Sequence, residues 1–397
     1  MSSVIELNRK IDDDLAADIE KESVFVSPYL DVLRVTDDRT AVEFRISAHD
    51  KSDEVMDKVQ RYLGVMLQRN HNFDTKTFLK NMRKDVGPYE TEVHQELVDR
   101  GWVHDYGGGV VALSGPVLEL AKAIDSKAAE LYHRHFGAAP GHYPAFVDAE
   151  ILGKCGYFDS HPNAVSFVGH MVEDFDAIEQ FRVANSCGEG WTMPQGEHVH
   201  MPGLCLNPAA CFPCYPTLEG HRLNGPGTAF TWQGRVFRYE SRNVTGLERL
   251  WEFNVRELVF VGSEEYVSTC RKRALPLIGE LASTFDLDCS VETATDPFFA
   301  TVAAAKKFWQ QAQEVKNEIM LWIEPHPDGS ERRIAGGSVN LHGNFFGSRF
   351  DIEAEDGEPA HTGCIGLGVE RWVLAAFSQH GFDPNRWPAD VRDRIFS

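Results

Sequence analysis

The sequence predicts an α+β protein in which a small N-terminal α/β module, residues 1–90, precedes a larger domain, residues 91–397. Two observations predict it. Strand-like runs with alternating apolar residues follow one another between residues 230 and 262. Segments with apolar residues at helical spacing lie before and after these runs. Strands and helices that are grouped in this way are typical of α+β folds.

The N-terminal module has two predicted strands, residues 29–35 and 40–47. A helix that Ser52 could cap follows them, with apolar residues at helical spacing: Val55, Val59, Tyr62, Leu63 and Met66. This part of the chain carries no chemical motif. We therefore expect it to serve for packing or docking.

In the larger domain a short strand at residues 110–113 leads into a helix that begins at Ser114 and Pro116. Proline suits the first helical position because its missing N–H has no partner there. The apolar face of this helix comprises Val117, Leu120, Ile124, Ala128 and Leu131. Farther on, we expect a long helix over residues 296–323, a glycine-rich strand region over 334–347 and a helix after Gly368.

Composition narrows the class of protein. The chain is 43% hydrophobic and 11% aromatic, as in ordinary globular proteins. No apolar run approaches the roughly 20 residues that span a bilayer. The charged N-terminal residues lack the apolar segment of a secretory signal, so we expect a cytoplasmic protein without membrane contact.

Charge and cysteine content add two constraints. The net charge of −21 disfavours nucleic acid, which usually binds a basic face. The cysteines are scattered, unlike those of small disulfide-rich domains, so buried thiols or metal ligands are favoured. They are Cys155, Cys187, Cys205, Cys211, Cys214, Cys270, Cys289 and Cys364.

The first chemical motif lies at residues 230–240, FTWQGRVFRYE, where we expect a tight turn at Gln233 and Gly234. A strand beyond that turn would place Arg238 and Glu240 on one face. The following strand, residues 253–262, places Glu257 among apolar residues. An inward carboxylate is costly unless it meets a cation, a metal or a ligand. The alternative is an ion pair between Arg238 and a glutamate.

The second motif, GLGVER, ends at Arg371 in the first turn of the C-terminal helix. It lacks the third glycine of a dinucleotide-binding loop, and no Walker loop occurs in the chain. An arginine beside a helix N-terminus suits a phosphate clamp.

Together, FRYE followed by RLWEFNVRELVFVG resembles motif 2 of the class II aminoacyl-tRNA synthetases, and GLGVER resembles their motif 3. This resemblance implies a mostly antiparallel sheet flanked by helices. It also implies that Arg238 binds the α-phosphate of ATP and Arg371 the γ-phosphate. Glu240 would contact the adenine amino group and Phe253 would stack under the base. Arg249 and Leu250 would line the motif 2 loop.

The stretches NPAACFPCYPTLEG and AHTGCIGLGVER are similar to a narrower group. It comprises the zinc-dependent archaeal seryl-tRNA synthetases and their truncated relatives, the amino acid:[carrier protein] ligases. The resemblance implies a Zn²⁺ site at Cys211, Glu257 and Cys364. Three protein ligands leave one position open, as in working zinc sites. The alternative for these cysteines is buried apolar packing.

Several neighbouring residues are further candidates. Cys214 is an alternative zinc ligand. His198 and His200 could also bind metal, although two loop histidines are more often surface residues. The resemblance places Gly337, Ser338 and Asn340 on the strand that touches ATP and substrate. Lys316 and Glu318 could approach the site, although a solvated helix face is favoured for them.

The resemblance implies a two-step ligase that uses ATP and Mg²⁺. A small amino acid (glycine, alanine, serine or an analogue) becomes an adenylate, and its aminoacyl group passes to the phosphopantetheine thiol of a carrier protein. The Lys306 and Lys307 pair is a candidate docking patch. We also expect a homodimer. The alternatives are aminoacylation of tRNA, which the acidic charge disfavours, and a non-catalytic paralogue, which the presence of the motif residues disfavours.

Overall fold

The computed structural model describes residues 2–68, 76–83, 90–186, 193–194, 196–293, 316–326 and 329–396. Its N-terminal module, residues 2–66, is a three-stranded antiparallel sheet in the order β1-β3-β2 with two helices. These elements are β1 (Ser2–Glu6), α1 (Asp13–Glu22), β2 (Leu30–Val35), β3 (Ala41–Ile46) and α2 (Ser52–Met66).

The two predicted strands and the predicted helix of this module are confirmed. The apolar residues of α2 that were predicted from their spacing are all buried in the module's own core. The predicted cap is wrong, because the short turn His49–Lys51 leads directly into the helix. Ser52 is therefore the first helical residue and Lys51 takes the cap position.

The larger part of the chain begins with a run of short elements. They are β4 (Thr77–Asn81), α3 (Val93–Asp99), β5 (Val103–Gly107), β6 (Val110–Leu113), α4 (Gly115–Phe136), β7 (Ala139–Pro140), β8 (Phe146–Asp148), α5 (Ala149–Lys154), α6 (Tyr157–Ser160), β9 (His170–Met171), α7 (Phe175–Ala184), β10 (Val199–His200) and β11 (Leu204–Leu206). The predicted strand before α4 and the buried face of α4 are both confirmed.

Longer strands dominate the remainder. The elements are β12 (Gly227–Phe237), β13 (Glu252–Gly262), α8 (Glu264–Thr284), β14 (Cys289–Thr293), β15 (Lys316–Ile323), β16 (Arg332–Gly343), α9 (Phe345–Arg349), β17 (His361–Gly368), α10 (Val369–His380) and α11 (Ala389–Ile395).

The main sheet has eight strands in the order β4-β14-β15-β16-β17-β13-β12-β7. Its neighbouring strands are antiparallel except for β7, which pairs parallel to β12. The predicted α+β fold with a mostly antiparallel sheet and flanking helices is therefore confirmed. Because β4 lies in this sheet, the compact N-terminal module ends before it, and the division at residue 90 stays a proposal.

The two faces of the main sheet have different neighbours. Helices α4, α8 and α10 cover one face and share a core with Leu258, Phe260 and Ile365. The opposite face carries Glu257 and Cys364. Because side chains alternate along a strand, Glu257 and Cys364 point away from these helices, toward the side of the sheet where a site can form.

Two predicted elements are wrong. Gln233 and Gly234 do not form a turn, because β12 runs through them and pairs with β13 along its whole length. Arg238 and Glu240 therefore follow the end of β12. Residues 316–323 of the predicted long helix are strand β15, and residues 296–315 lie outside the described residues. Among the described helices, none is long and apolar enough to cross a membrane.

Candidate functional site

A cavity of about 230 Å³ lies on the face of the main sheet that carries Glu257. All twelve candidate site residues line it, although they come from β13, β16, β17, α10 and the loops around them. They are Cys211, Arg238, Glu240, Arg249, Leu250, Phe253, Glu257, Gly337, Ser338, Asn340, Cys364 and Arg371. Residues that are far apart in the sequence thus meet in one place, while their individual roles remain proposals.

Strand register explains this convergence. Glu257 of β13 pairs with Gly366 of β17, and Gly366 pairs with Ser338 of β16. Ser338 in turn pairs with Glu318 of β15. Directly paired residues share a face of the sheet, so these positions form one row across four strands. Cys364 pairs with Asn340 in the adjacent row.

The metal candidates form a compact cluster within this cavity. One ligand atom each from Cys211, Glu257 and Cys364 lies within 4.8 Å of the other two. Cys211 immediately precedes the short helix Phe212–Leu218, whereas Glu257 and Cys364 lie on neighbouring strands. All three side chains are buried. Two thiols and one carboxylate are donors that Zn²⁺ accepts in a tetrahedral site with one position left open.

Electrostatics also favour a cation among these donors. Burial and the neighbouring Cys364 raise the pKa of Glu257 well above its usual value. The adjacent Cys211 thiol and burial raise the pKa of Cys364 in the same way. Ionising all three groups without a cation would place several negative charges in a buried volume. A divalent metal would balance those charges, because metal binding favours the deprotonated ligands.

Polar groups surround the sulfur of Cys364. The amide Nδ2 of Asn340 donates to this sulfur at 3.5 Å, and Nε2 of His342 lies 3.8 Å from it. The other ring nitrogen of His342 lies 3.1 Å from Oγ1 of Thr362. Sequence analysis did not single out His342.

Cys214 has a different partner. Its sulfur accepts a hydrogen bond of 3.5 Å from the hydroxyl of Tyr143, and burial raises its pKa to about 12. Within the described residues Cys214 is not part of the three-donor cluster. Its geometry therefore favours a buried thiol, and the structure offers no support for Cys214 as a substitute ligand.

Three arginines bring positive charge to the same cavity: Arg238, Arg249 and Arg371. The guanidinium of Arg371 donates to the carbonyls of Glu248 and Ala335, both at 2.7 Å. Burial, followed by the charges of Arg249 and Arg238, lowers the pKa of Arg371. Cations that destabilise one another in a cavity indicate a site for an anionic ligand.

Hydrogen bonds hold these arginines in place. Nε of Arg238 donates to the carbonyl of Pro208 at 2.9 Å, and its guanidinium lies 5.6 Å from the centre of the Phe253 ring. Arg249 lies 3.7 Å from the carboxylate of Glu240. Among the described residues Arg238 has no ion pair with a glutamate, so the ion-pair alternative for it is wrong.

Glu370 connects the two motif segments. Its buried carboxylate accepts from the backbone N–H of Asn254 at 3.0 Å and from its side-chain amide at 2.7 Å. Glu370 precedes Arg371 on α10, and Asn254 follows Phe253 on β13. These bonds fix the position of Arg371, which is predicted to bind phosphate, relative to Phe253, which is predicted to stack under the base.

Lys316 and Glu318 also line the cavity, so their prediction as a solvated helix face is wrong. They lie on β15, where Nζ of Lys316 donates to Oε1 of Glu318 at 3.0 Å. One signal could have revealed this strand. Ile319, Leu321 and Ile323 lie at every second position of a short apolar run, residues 319–323, and all three are buried.

The remaining candidates lie elsewhere. His200 packs against His170, with ring centres 5.1 Å apart, and its side chain is exposed as predicted. Neither His198 nor His200 belongs to the metal-type cluster found within the described part of the chain. The Lys306 and Lys307 pair lies outside the described residues.

The chain was compared with known proteins. No family model matches it. It is 34% identical over 317 residues to amino acid–[acyl-carrier-protein] ligase 1 of Bradyrhizobium diazoefficiens, covering 78% of this chain and 91% of that protein. Ligase 2 of the same organism is 33% identical over 296 residues, with coverages of 72% and 82%. The type-2 serine–tRNA ligase of Methanopyrus kandleri is 25% identical over 397 residues, with coverages of 95% and 75%.

Solved structures show the same fold. The seryl-tRNA synthetase of M. kandleri, in complex with tRNASec of A. aeolicus, has a TM-score of 0.72 at 22% identity and covers 99% of this chain and 77% of its own. The seryl-tRNA synthetase of Pyrococcus horikoshii complexed with ATP has a TM-score of 0.58 at 15% identity, with coverages of 87% and 78%. The protein therefore has a class II aminoacyl-tRNA synthetase fold, and by its sequence it belongs to the family of amino acid:[carrier protein] ligases, which are related to the archaeal-type seryl-tRNA synthetases.

Proposed function

We propose that this protein uses ATP to activate a small amino acid and transfers the aminoacyl group to the phosphopantetheine thiol of a carrier protein. The observation that carries the proposal is one cavity lined by both a three-arginine group and a Cys–Glu–Cys cluster. Phe253 and Glu257 lie four residues apart on β13, which corresponds to about 13 Å along the strand. That spacing separates a base-stacking position from an amine-binding position.

The first group would bind the nucleotide. Phe253 stacks under adenine, Glu240 accepts from its amino group, and Leu250 contacts the base. Arg238 contacts the α-phosphate, Arg371 the γ-phosphate, and Arg249 lies beside Glu240. Mg²⁺ bound to the phosphates would complete the charge balance, as it does in other phosphate-binding enzymes. The ATP complex of the P. horikoshii synthetase, which shares the fold, supports a nucleotide in this cavity.

The second group would bind the amino acid. Cys211, Glu257 and Cys364 would hold Zn²⁺, which supplies an open coordination position for the neutral α-amine when it is bound. Ser338 and Asn340 lie on the neighbouring strand and orient the carboxylate. Gly337 lets β16 pack closely against β17, because an added Cβ would lie 2.3 Å from the carbonyl oxygen of Gly366.

The activation step then takes place between the two bound substrates. A carboxylate oxygen of the amino acid attacks the α-phosphorus, and the bond to the β-phosphate oxygen breaks, which releases pyrophosphate. Arg238 stabilises the negative charge that develops on the α-phosphate oxygens. In the second step a thiolate attacks the carbonyl carbon, a thioester forms, and AMP leaves.

The walls near the metal cluster favour a small side chain. Cys211 and Cys364 share a buried cluster with Tyr215 and Phe346, whose ring centres are 4.1 Å apart. His342 packs against the edge of Phe346, with ring centres 4.9 Å apart. These aromatic rings pack behind Cys211 and Cys364 and close the space on that side of the proposed amine site. Glycine, alanine, serine or a close analogue is therefore the substrate class that we propose.

The proposed acceptor of the aminoacyl group is a carrier protein rather than tRNA. Two Bradyrhizobium ligases, which are 34% and 33% identical to this chain and whose names describe them as acting on acyl carrier protein, support a carrier protein. The net charge of −21 also disfavours RNA. Transfer to tRNA is the second candidate, because the type-2 serine–tRNA ligase of M. kandleri aligns over 95% of this chain.

Amino-acid-dependent exchange of labelled pyrophosphate into ATP tests the activation step. Each amino acid is offered in turn, and we expect exchange only with a small one. No exchange with any amino acid, from a protein that contains zinc, would contradict the proposal. A homodimer and a cytoplasmic location remain predictions, and light scattering of the purified protein would test the first.

A further inference from the structure

The N-terminal module accepts hydrogen bonds from the loop that follows Glu240. The guanidinium of Arg242 donates to the backbone carbonyls of Asp31 at 2.9 Å and Leu30 at 2.7 Å. The side-chain amide of Asn243 donates to the carbonyl of Lys21 at 2.6 Å. Both residues belong to the short helix Ser241–Asn243, which lies between the cavity residues Glu240 and Arg249. The module therefore contacts the loop that carries part of the proposed nucleotide site.

The acceptors of these hydrogen bonds are backbone carbonyls at the start of β2 and at the end of α1. Their positions depend on the folded module as a whole, because the module's own core holds α1 and β2 together. Ser241 has a φ of 53°, in the left-handed region that non-glycine residues seldom adopt. Such a conformation persists when surrounding contacts hold it, and the bonds from Arg242 and Asn243 are those contacts.

The far end of the same loop is also anchored. The backbone N–H of Trp251 donates to the carbonyl of Gly109 at 2.9 Å, in the turn between β5 and β6. Gly109 has a φ of 81°, and an added Cβ would lie 2.5 Å from that N–H nitrogen. The loop between residues 241 and 251 is thus held at one end by the N-terminal module and at the other by this turn.

We propose that the N-terminal module, residues 2–66, is a positioning element of the nucleotide site: it holds Glu240 and Arg249 through Arg242 and Asn243. This inference rests on the proposed function, because it assigns Glu240 and Arg249 to ATP. It gives the module a role within this chain that requires neither RNA nor a carrier protein.

Arg242→Gln and Asn243→Ala remove the hydrogen bonds between the loop and the module. Arg61→Gln, on the exposed face of α2, is the control. Loss of hydrogen bonds from a charged group should raise the KM for ATP about tenfold in Arg242→Gln. The KM for the amino acid and the zinc content should not change, because the metal cluster lies outside this loop. Hydrogen exchange of residues 238–250 should become faster, and the melting temperature shows whether each variant is folded.

If Arg242→Gln does not fold, Asn243→Ala gives the same comparison with one bond removed. A KM for ATP within about twofold of the wild type in the folded variants, with unchanged hydrogen exchange in the loop, would overturn the positioning role. An equal loss in the KM for the amino acid would also overturn it, since that result indicates a general structural effect.

Binding of a fluorescent ATP analogue without amino acid separates the two hypotheses. Wild-type protein that binds the analogue but exchanges no pyrophosphate would contradict the proposed function. Binding of the analogue by the variants would then still test the positioning role of the module.

Discussion

The side-chain amide of Asn340 donates hydrogen bonds both to the sulfur of Cys364, at 3.5 Å, and to the hydroxyl of Ser338, at 2.9 Å. Asn340 thereby connects the candidate metal cluster to the strand that we assign to the substrate. An N–H donor stabilises a thiolate, and partners of metal ligands typically affect metal affinity.

Asn340→Ala should therefore bind zinc about tenfold more weakly, the lower end of the effect known for such partners. Competition with a chromogenic chelator measures this affinity. Asn344→Ala, a change just beyond the end of β16, is the control. Equal zinc affinity in Asn340→Ala and the wild type would show that the hydrogen bond to Cys364 does not support the metal.

The metal site itself is tested by Cys211→Ala and Cys364→Ala. Each variant should lose zinc, because each removes one of three protein ligands. Cys214→Ala is the matched control and should keep the metal, since its sulfur is hydrogen-bonded to Tyr143. Metal analysis of the purified proteins is the measurement. Full zinc in both ligand variants would refute the assignment, and loss in Cys214→Ala alone would move the ligand by one helical turn.

Arg371→Ala should weaken the use of ATP and leave zinc in place. A lost hydrogen bond to a charged group costs about 1.5–3 kcal/mol, which is roughly 10- to 150-fold in kcat/KM for ATP. Pyrophosphate exchange at varied ATP concentration measures this loss. Arg392→Ala serves as the control, because Arg392 pairs with Asp393 on α11 near the chain end. Unchanged exchange in Arg371→Ala would contradict a phosphate contact.

The amino acid should be small. Tyr215, His342 and Phe346 pack behind the two cysteines of the proposed amine site and close the space on that side. Exchange with glycine, alanine or serine should exceed exchange with phenylalanine or lysine. Phe346→Ala should enlarge the site and increase exchange with a larger apolar amino acid relative to glycine. A wild-type preference for an aromatic or long basic amino acid would contradict this prediction.

The acceptor should be a thiol. Protein that carries labelled adenylate is offered total tRNA in one reaction and a phosphopantetheinylated carrier protein in another. We expect label on the carrier, and none on carrier that lacks the prosthetic arm. Label on tRNA alone would favour the second candidate function and leave the activation step unaffected. Because docking requires surface contacts, raised salt should weaken transfer if a charged patch contributes.

Much of the site could be predicted from the sequence because its signals are local. Alternation along β13 predicted that Glu257 points inward among apolar neighbours, and the strand confirms it. The residues that precede α10 predicted that Arg371 lies in its first turn. Two motifs of this kind and the cysteines near them named nine of the twelve candidates in the cavity, and the family resemblance supplied Gly337, Ser338 and Asn340.

The errors have a common physical origin. Residues 316–323 contain apolar side chains at spacings that suit either a helix or a strand, and pairing with β16 decides for the strand. Gln233 and Gly234 have turn-forming character, yet β13 offers hydrogen bonds along the whole length of β12. In both cases tertiary pairing overrides local propensity.

The sequence by itself determined which side chains are candidates for the chemistry, because alternation, helix starts and motifs are properties of neighbouring residues. Only the tertiary structure decided which of these side chains meet. Strand register placed Cys364 beside Asn340, and the fold placed Lys21 and Leu30 against the loop of Arg242. Contacts between residues far apart in the chain form only when the whole core is assembled, since packing and register act between elements rather than within them.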